Sequence, residues 1–212
     1  MRKPLRVILV GVAVLAFGAC AFGRKVDYSA PMALNVPNGT QQIALAVLDH
    51  RPYVLSGDKG PPFVGTQRDG YGIPFNVNTK SGSPLAEDFS KSLAQSLTAK
   101  GYKVEEMKLA HTVSTDDAIK RAVGTGADRS VILEFTEWKS DQLQNAALYY
   151  ALSLTVYDKS SVSLAQNSVS GRDNIDSNYF EGADEIAPAA FRKKMTQLFS
   201  KPEVQTAFAA GP

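Results

Sequence analysis

The chemistry open to this chain is limited by how few reactive side chains it carries. His50 and His111 are the only histidines. They flank loops rather than sit at ligand spacing, and no HExxH or cysteine cluster occurs, so a metal site is not expected. No G-x-S-x-G elbow or Ser/His/acid grouping marks a nucleophile. The serines of SGSP (81–84), STDD (114–117) and DKSS (158–161) read as caps and turns. The glycines of 57–65 and 124–126 lack the Gly-Lys-Ser/Thr ending of a phosphate loop, and the second group ends a helix. One constellation remains, DHRP at 49–52 together with GTQRDGYGIPF at 65–75. Arg51, Arg68, Asp69, Tyr71 and Phe75 would give a small ligand or a partner a guanidinium fork, a carboxylate and two aromatics on a breaker-rich loop. A pocket of that kind needs Arg51 and Arg68 to converge. The favoured alternative is structural: the two arginines make ion pairs that hold the loop to the sheet edge, and the aromatics form its satellite core. Asp49, His50 and Asp69 gathered in one cleft would point instead to an enzyme; with no acid/base pair identifiable, no enzymatic activity and no cofactor are expected. Trp138, Tyr149 and Tyr150 form a second aromatic group, better explained by cross-strand packing than by a partner.

The remaining reactive group is the single thiol, Cys20. Before it, Arg2, Lys3 and Arg6 precede an apolar run from Val7, the charged-then-apolar pattern of a secretory signal. Gly18-Ala19-Cys20 resembles the lipobox of bacterial lipoproteins, with Phe17 where a leucine is usual. That resemblance implies a diacylglycerol on the Cys20 thiol and cleavage after residue 19. An uncleaved anchor is the competing reading, but the run is short for a bilayer helix of about 20 residues. Two or more acyl chains on Cys20 would hold durably to a membrane, and a domain with no other thiol must be stable through its core alone.

Elements that could position these groups are legible along the 212 residues. Residues 1–19 read as signal peptide, 20–40 as a lipidated tether with Pro31, Pro37, Asn38 and Gly39, and 41–212 as one α/β domain. Of 23 basic residues three lie in the signal, leaving 20 against 21 acids, a net −1. Without a basic stripe there is no electrostatic footprint for nucleic acid. A buried strand is expected at 42–49, and short strands near 63–64 and 75–78 within the glycine- and proline-rich stretch. A helix follows with Ser83 as N-cap, Pro84 at the first position, a stripe of Leu85, Phe89, Leu93 and Leu97, and Gly101 past its end. Then come a strand at 102–109, a helix capped by Ser114, a strand from Arg129, a hairpin of 147–157 with 162–171, a helix at 183–199 carrying Ile186, Ala190, Met195, Leu198 and Phe199, and a short helix after Pro202. The order implies an α/β (α+β) fold, a mixed sheet with helices mainly on one face.

The run VLDHRPYVLSGDKGPPFVGTQRDGYGIPF, then SGSPLAEDFSKSLAQSLTAKGYKV and GADRSVILEF, resembles the YajG-like group of small proteobacterial envelope lipoproteins of uncharacterised function. Similar modules occur in the amino-terminal domain of TolB and in auxiliary lipoproteins of ABC-type transport systems. The resemblance implies an outer-membrane-tethered periplasmic domain with an envelope protein partner, and it supplies no catalytic residue. Ala21, where an aspartate retains such proteins at the inner membrane, implies the outer membrane by the same analogy.

Overall fold

The computed structural model describes residues 24–69, 71–142, 146–175 and 183–209; Cys20 and the signal lie outside them. Eight strands form one mixed sheet: β1 (Lys25–Val26), β2 (Gln42–Asp49), β3 (Phe63–Arg68), β4 (Pro74–Thr79), β5 (Lys103–Met107), β6 (Arg129–Gln142), β7 (Ala146–Tyr157) and β8 (Ser163–Ile175). Among the described residues five helices join them: α1 (Pro52–Leu55), α2 (Leu85–Thr98), α3 (Thr115–Gly124), α4 (Ala183–Phe199) and α5 (Pro202–Ala209). None of the described helices is long and apolar enough to cross a membrane.

β6 is the spine. Along one edge it pairs antiparallel with β7, from Ser130↔Tyr157 to Gln142↔Ala146, and β7 pairs with β8. Its other edge is shared: Arg129–Phe135 run parallel to β2, and Ser140–Gln142 run parallel to β3. β5 extends the sheet beyond β2, while β4 and then β1 extend it beyond β3. The division coincides with a bulge between Phe135 and Glu137. Since a bulge inserts one residue, it moves Trp138 onto the face that Val131, Leu133 and Phe135 already occupy.

Alternation along β2 shows how the two faces are filled. Ile43, Leu45 and Val47 belong to the large core under α2, α4 and α5, whereas Ala44, Ala46 and Leu48 meet Ala118 and Ala122 of α3 on the opposite side. Three of the four longer helices thus share one face. The stripe Leu85, Phe89, Leu93 and Leu97 of α2 is fully buried, as its four-residue spacing requires. Phe89 stacks on Phe191 of α4 at 4.0 Å between centroids, with Tyr28 and Trp138 edge-on to both.

Three local expectations are corrected and one holds. The N-cap of α2 is Pro84, with extended backbone and no side-chain cap bond, so Ser83 lies one residue outside. Ser114 does cap α3, accepting from the Asp117 amide. On α4 the buried stripe is Ala187, Phe191, Met195 and Leu198, one position on from Ile186 and Ala190. Most consequentially, residues 24–36 are not a free tether: Val26, Tyr28, Leu34 and Val36 are buried, and β1 pairs with β4.

Candidate functional site

The DHRP segment lies where β2 leaves the edge of β6 and β3 has not yet joined it. The last β2 partner is Phe135, opposite Asp49, and the first β3 partner is Ser140, opposite Gly65. Backbone carbonyls in that interval need donors from elsewhere. Arg51 supplies them: its guanidinium donates to the carbonyls of Phe63, Trp138 and Pro61, and Nε and Nη2 donate to Asp49 at 2.7 and 2.6 Å. Tyr53 adds a second bond to the Trp138 carbonyl and one to Glu137. Burial works against the Arg51 charge, but the bonds to Asp49 outweigh it and hold the group more basic than usual. Burial also pushes the Tyr53 phenol up.

Both arginines make ion pairs, as the structural reading expects, but Tyr71 and Phe75 do not form the satellite core that reading also expects. Arg51 is 0% exposed and fully engaged within the fold. Arg68 sits at the far end of β3, five residues or about 17 Å from Phe63, where it pairs with Asp141 at 3.2 Å. The two arginines do not converge on one site. Nor do Asp49, His50 and Asp69 share a cleft. Asp49 faces Arg51, and the His50 ring reaches Glu134 at 2.8 Å and the Val113 carbonyl at 2.9 Å. Asp69 closes the β3–β4 hairpin by accepting from the amides of Tyr71 and Ile73. That hairpin holds the other two predicted residues, Tyr71 at 94% exposure and Phe75 at 37%, with Ile73 at 54% between them.

The second aromatic group is cross-strand packing. Trp138 opposes Tyr150 on β7 and is completely buried, and Lys139 and Arg172 lie over the Tyr149 ring from the flanking strands. Sequence reasoning missed its counterpart on α4. Lys194 is buried, sits 3.8 Å over the Tyr150 ring and bonds Asp173 at 2.7 Å. Burial opposes the Lys194 charge, yet the bonds to Asp173 and Tyr150 hold it above its ordinary value, and the bond from Lys194 draws Asp173 below its own.

Sequence reasoning also missed a crevice of about 380 Å³ between α2 and β5, bordered by Val47, Asp88, Lys91, Glu106 and Met107. A further hollow of about 270 Å³, reaching Asp49, Pro61 and His111, adjoins it through Glu87 and Lys108. It opens beyond the carboxyl ends of β2 and β5, the usual place for ligands in open parallel sheets. Asp88 is 4% exposed, leaves one carboxylate oxygen without a partner, and is pushed up by burial. Only the surroundings of Asp88, invisible in sequence, distinguish it from an ordinary first-turn acid. Among the described residues no group of His, Cys, Asp and Glu could hold a metal ion.

No family model matches the chain, and no curated protein sequence matches it. Solved structures do. Protein XCC0632 of Xanthomonas campestris, assigned to the family DUF330, superposes with a TM-score of 0.50 at 12% identity over 89% of this chain and 94% of its own. Its likeness supports the fold. Two further solved structures resemble the chain more distantly. Lipoprotein GNA1162 of Neisseria meningitidis gives a TM-score of 0.30 at 15% identity, over 66% and 88% of the two chains. The LpoB C-terminal domain of Salmonella enterica gives 0.33 at 11%, over 68% and 88%.

Proposed function

We propose that this chain is an outer-membrane lipoprotein of the YajG-like kind, anchored through acylated Cys20, whose periplasmic domain is a non-enzymatic binding or accessory module for another envelope component. The observation that carries the reading is the signal pattern ending at the chain's single thiol, five residues before β1. Intact mass and membrane fractionation of wild type beside Cys20→Ser test it. The expected result is an acylated wild type in the outer-membrane fraction and an unacylated, released Cys20→Ser; a wild type that keeps residues 1–19 and its free thiol would sink the reading. Crosslinking in the envelope then identifies the partner.

The α2–β5 crevice favours a second reading, a small-ligand domain for a cell-wall fragment. Its site would be beside Asp88 rather than under the glycine-rich loop. Saturation-transfer NMR with peptidoglycan fragments tests this, and a signal unchanged by Asp88→Asn would remove it.

A further inference from the structure

We infer that the β3–β4 hairpin tip, bearing Tyr71, Ile73 and Phe75, is a second membrane contact that inserts its apolar side chains into the lipid interface beside the Cys20 anchor. The inference rests on the lipid-anchored reading above and concerns how the domain stands on the membrane.

Strand direction carries the argument. β1 runs parallel to β4, with Lys25 opposite Asn78 and Val26 opposite Thr79, and the Asn78 amide donates to the Arg24 carbonyl. Reading back from Lys25 toward the amino terminus therefore follows β4 from Asn78 toward Pro74, which is toward the hairpin tip. Four residue steps separate Arg24 from Cys20, and however they run they span at most about 14 Å. Ile73 lies about 13 Å from Val77 along the same strand. An acylated Cys20 is thereby confined to the neighbourhood of this tip. The opposite end of the sheet, at the β7–β8 turn, lies about 40 Å away along the twelve steps of β6 from Gln142 to Ser130.

The chemistry of the tip fits a lipid surface. Among the described residues the exposed large apolar side chains are Leu55, Tyr71, Ile73, Phe75, Val162 and Leu164, and three of these six fall within five positions here. Tyrosine and phenylalanine suit the headgroup boundary, where a ring is buried while a phenol stays wet. The display is held in place, since Asp69 binds the amides of Tyr71 and Ile73, its own amide bonds the Ile73 carbonyl, and Gly72 takes the positive φ of the turn. Those bonds engage one oxygen of the Asp69 carboxylate, and Arg68 is paired with Asp141.

The test uses the full-length, acylated protein in vesicles of phosphatidylethanolamine and phosphatidylglycerol, with and without brominated acyl chains. Wild type contains one tryptophan, the buried Trp138, which serves as the background. Tyr71→Trp adds a reporter at the tip and Val162→Trp adds one at the far end. Both positions are exposed, so neither change disturbs the core. The expected result is a blue shift and loss of the added emission for Tyr71→Trp in brominated vesicles, and neither for Val162→Trp. An acylated Tyr71→Trp protein whose emission ignores bromine overturns this inference and leaves the anchor standing; a blue shift without quenching does the same and points to a second copy or another protein on the tip. A protein whose mass shows no acylation overturns both the anchor and the membrane contact.

Discussion

Arg51 turns back onto Asp49, two residues before it, through bonds of 2.7 and 2.6 Å, and the pair is sealed from solvent at the point where β6 exchanges one neighbour strand for another. The remaining guanidinium hydrogens do what a strand would do, satisfying carbonyls on both sides of the gap. A flat fork of five donors can serve an acid and several carbonyls together; a lysine ammonium cannot.

Arg51→Ala strands a buried carboxylate and takes a donor from three carbonyls, leaving Trp138 with Tyr53 and Pro61 with the Leu85 amide, and it is expected to cost about 3–5 kcal/mol. At this domain size that lowers Tm by about 6–20 °C in thermal unfolding followed by circular dichroism. Asp49→Leu combined with Arg51→Met recovers part of the loss by removing both charges. Full recovery would show that the carbonyl bonds contribute nothing.

Gly65 is where β3 comes against β6. A methyl group there would lie 2.6 Å from the Ser140 carbonyl oxygen and 3.0 Å from its amide nitrogen. Gly65→Ala is expected to destabilise by about 1–3 kcal/mol in urea titration. Ser140→Gly removes the still closer Oγ contact but recovers only part of the loss, because the carbonyl and amide remain; full rescue would place the clash in the side chain alone.

Asp69→Ala removes the acceptor for two hairpin amides while touching nothing in the core. Hydrogen exchange at Tyr71 and Ile73 should accelerate at least tenfold, the equivalent of about 1.4 kcal/mol of local opening. Global Tm should barely move, and Asp69→Asn, which keeps an oxygen acceptor, should exchange nearly as wild type.

Asp88 gives a pH dependence of opposite sense to a salt-bridged acid. Burial raises its pKa, so the folded state holds the proton more tightly than the unfolded state. Stability from this group is therefore greatest when it is protonated in both states, falls as pH rises from the unfolded value of about 3.9 through the raised folded one, and stays low above it. Asp88→Asn should melt higher than wild type at pH 7, with the difference closing as pH drops below the unfolded value. A constant difference across that range would assign the effect to packing.

The regular elements were legible because their faces are one-sided. The four-residue apolar stripe of α2, the period-two alternation of β7, and the spacing of Ala118 and Ala122 on α3 each name the face that is buried. What could not be read falls into two kinds. Residues 24–36 bury side chains singly from irregular backbone between Asp27, Pro31 and Asn35, so no period betrays them. Arg51 and Asp88 are polar residues whose burial depends on partners distant in sequence. At the hairpin, composition named Asp69, Tyr71 and Phe75 as a group, but only strand pairing separated them from Arg51 and set them beside the exit of the amino terminus.

The docking of the amino-terminal segment also bears on the order in which the molecule can be completed. Val26 adds to β4, more than fifty residues later, and Tyr28 lies edge-on to Phe191, 5.8 Å away near the opposite end of the chain. Whatever leaves the ribosome first must wait for what leaves it almost last. Loop closure over such separations slows the approach to the native state. Until α4 is available, the aromatic cluster around Phe89 lacks its Phe191 wall, and a chain interrupted before that point would expose apolar surface to chaperones, proteases and other unfinished copies.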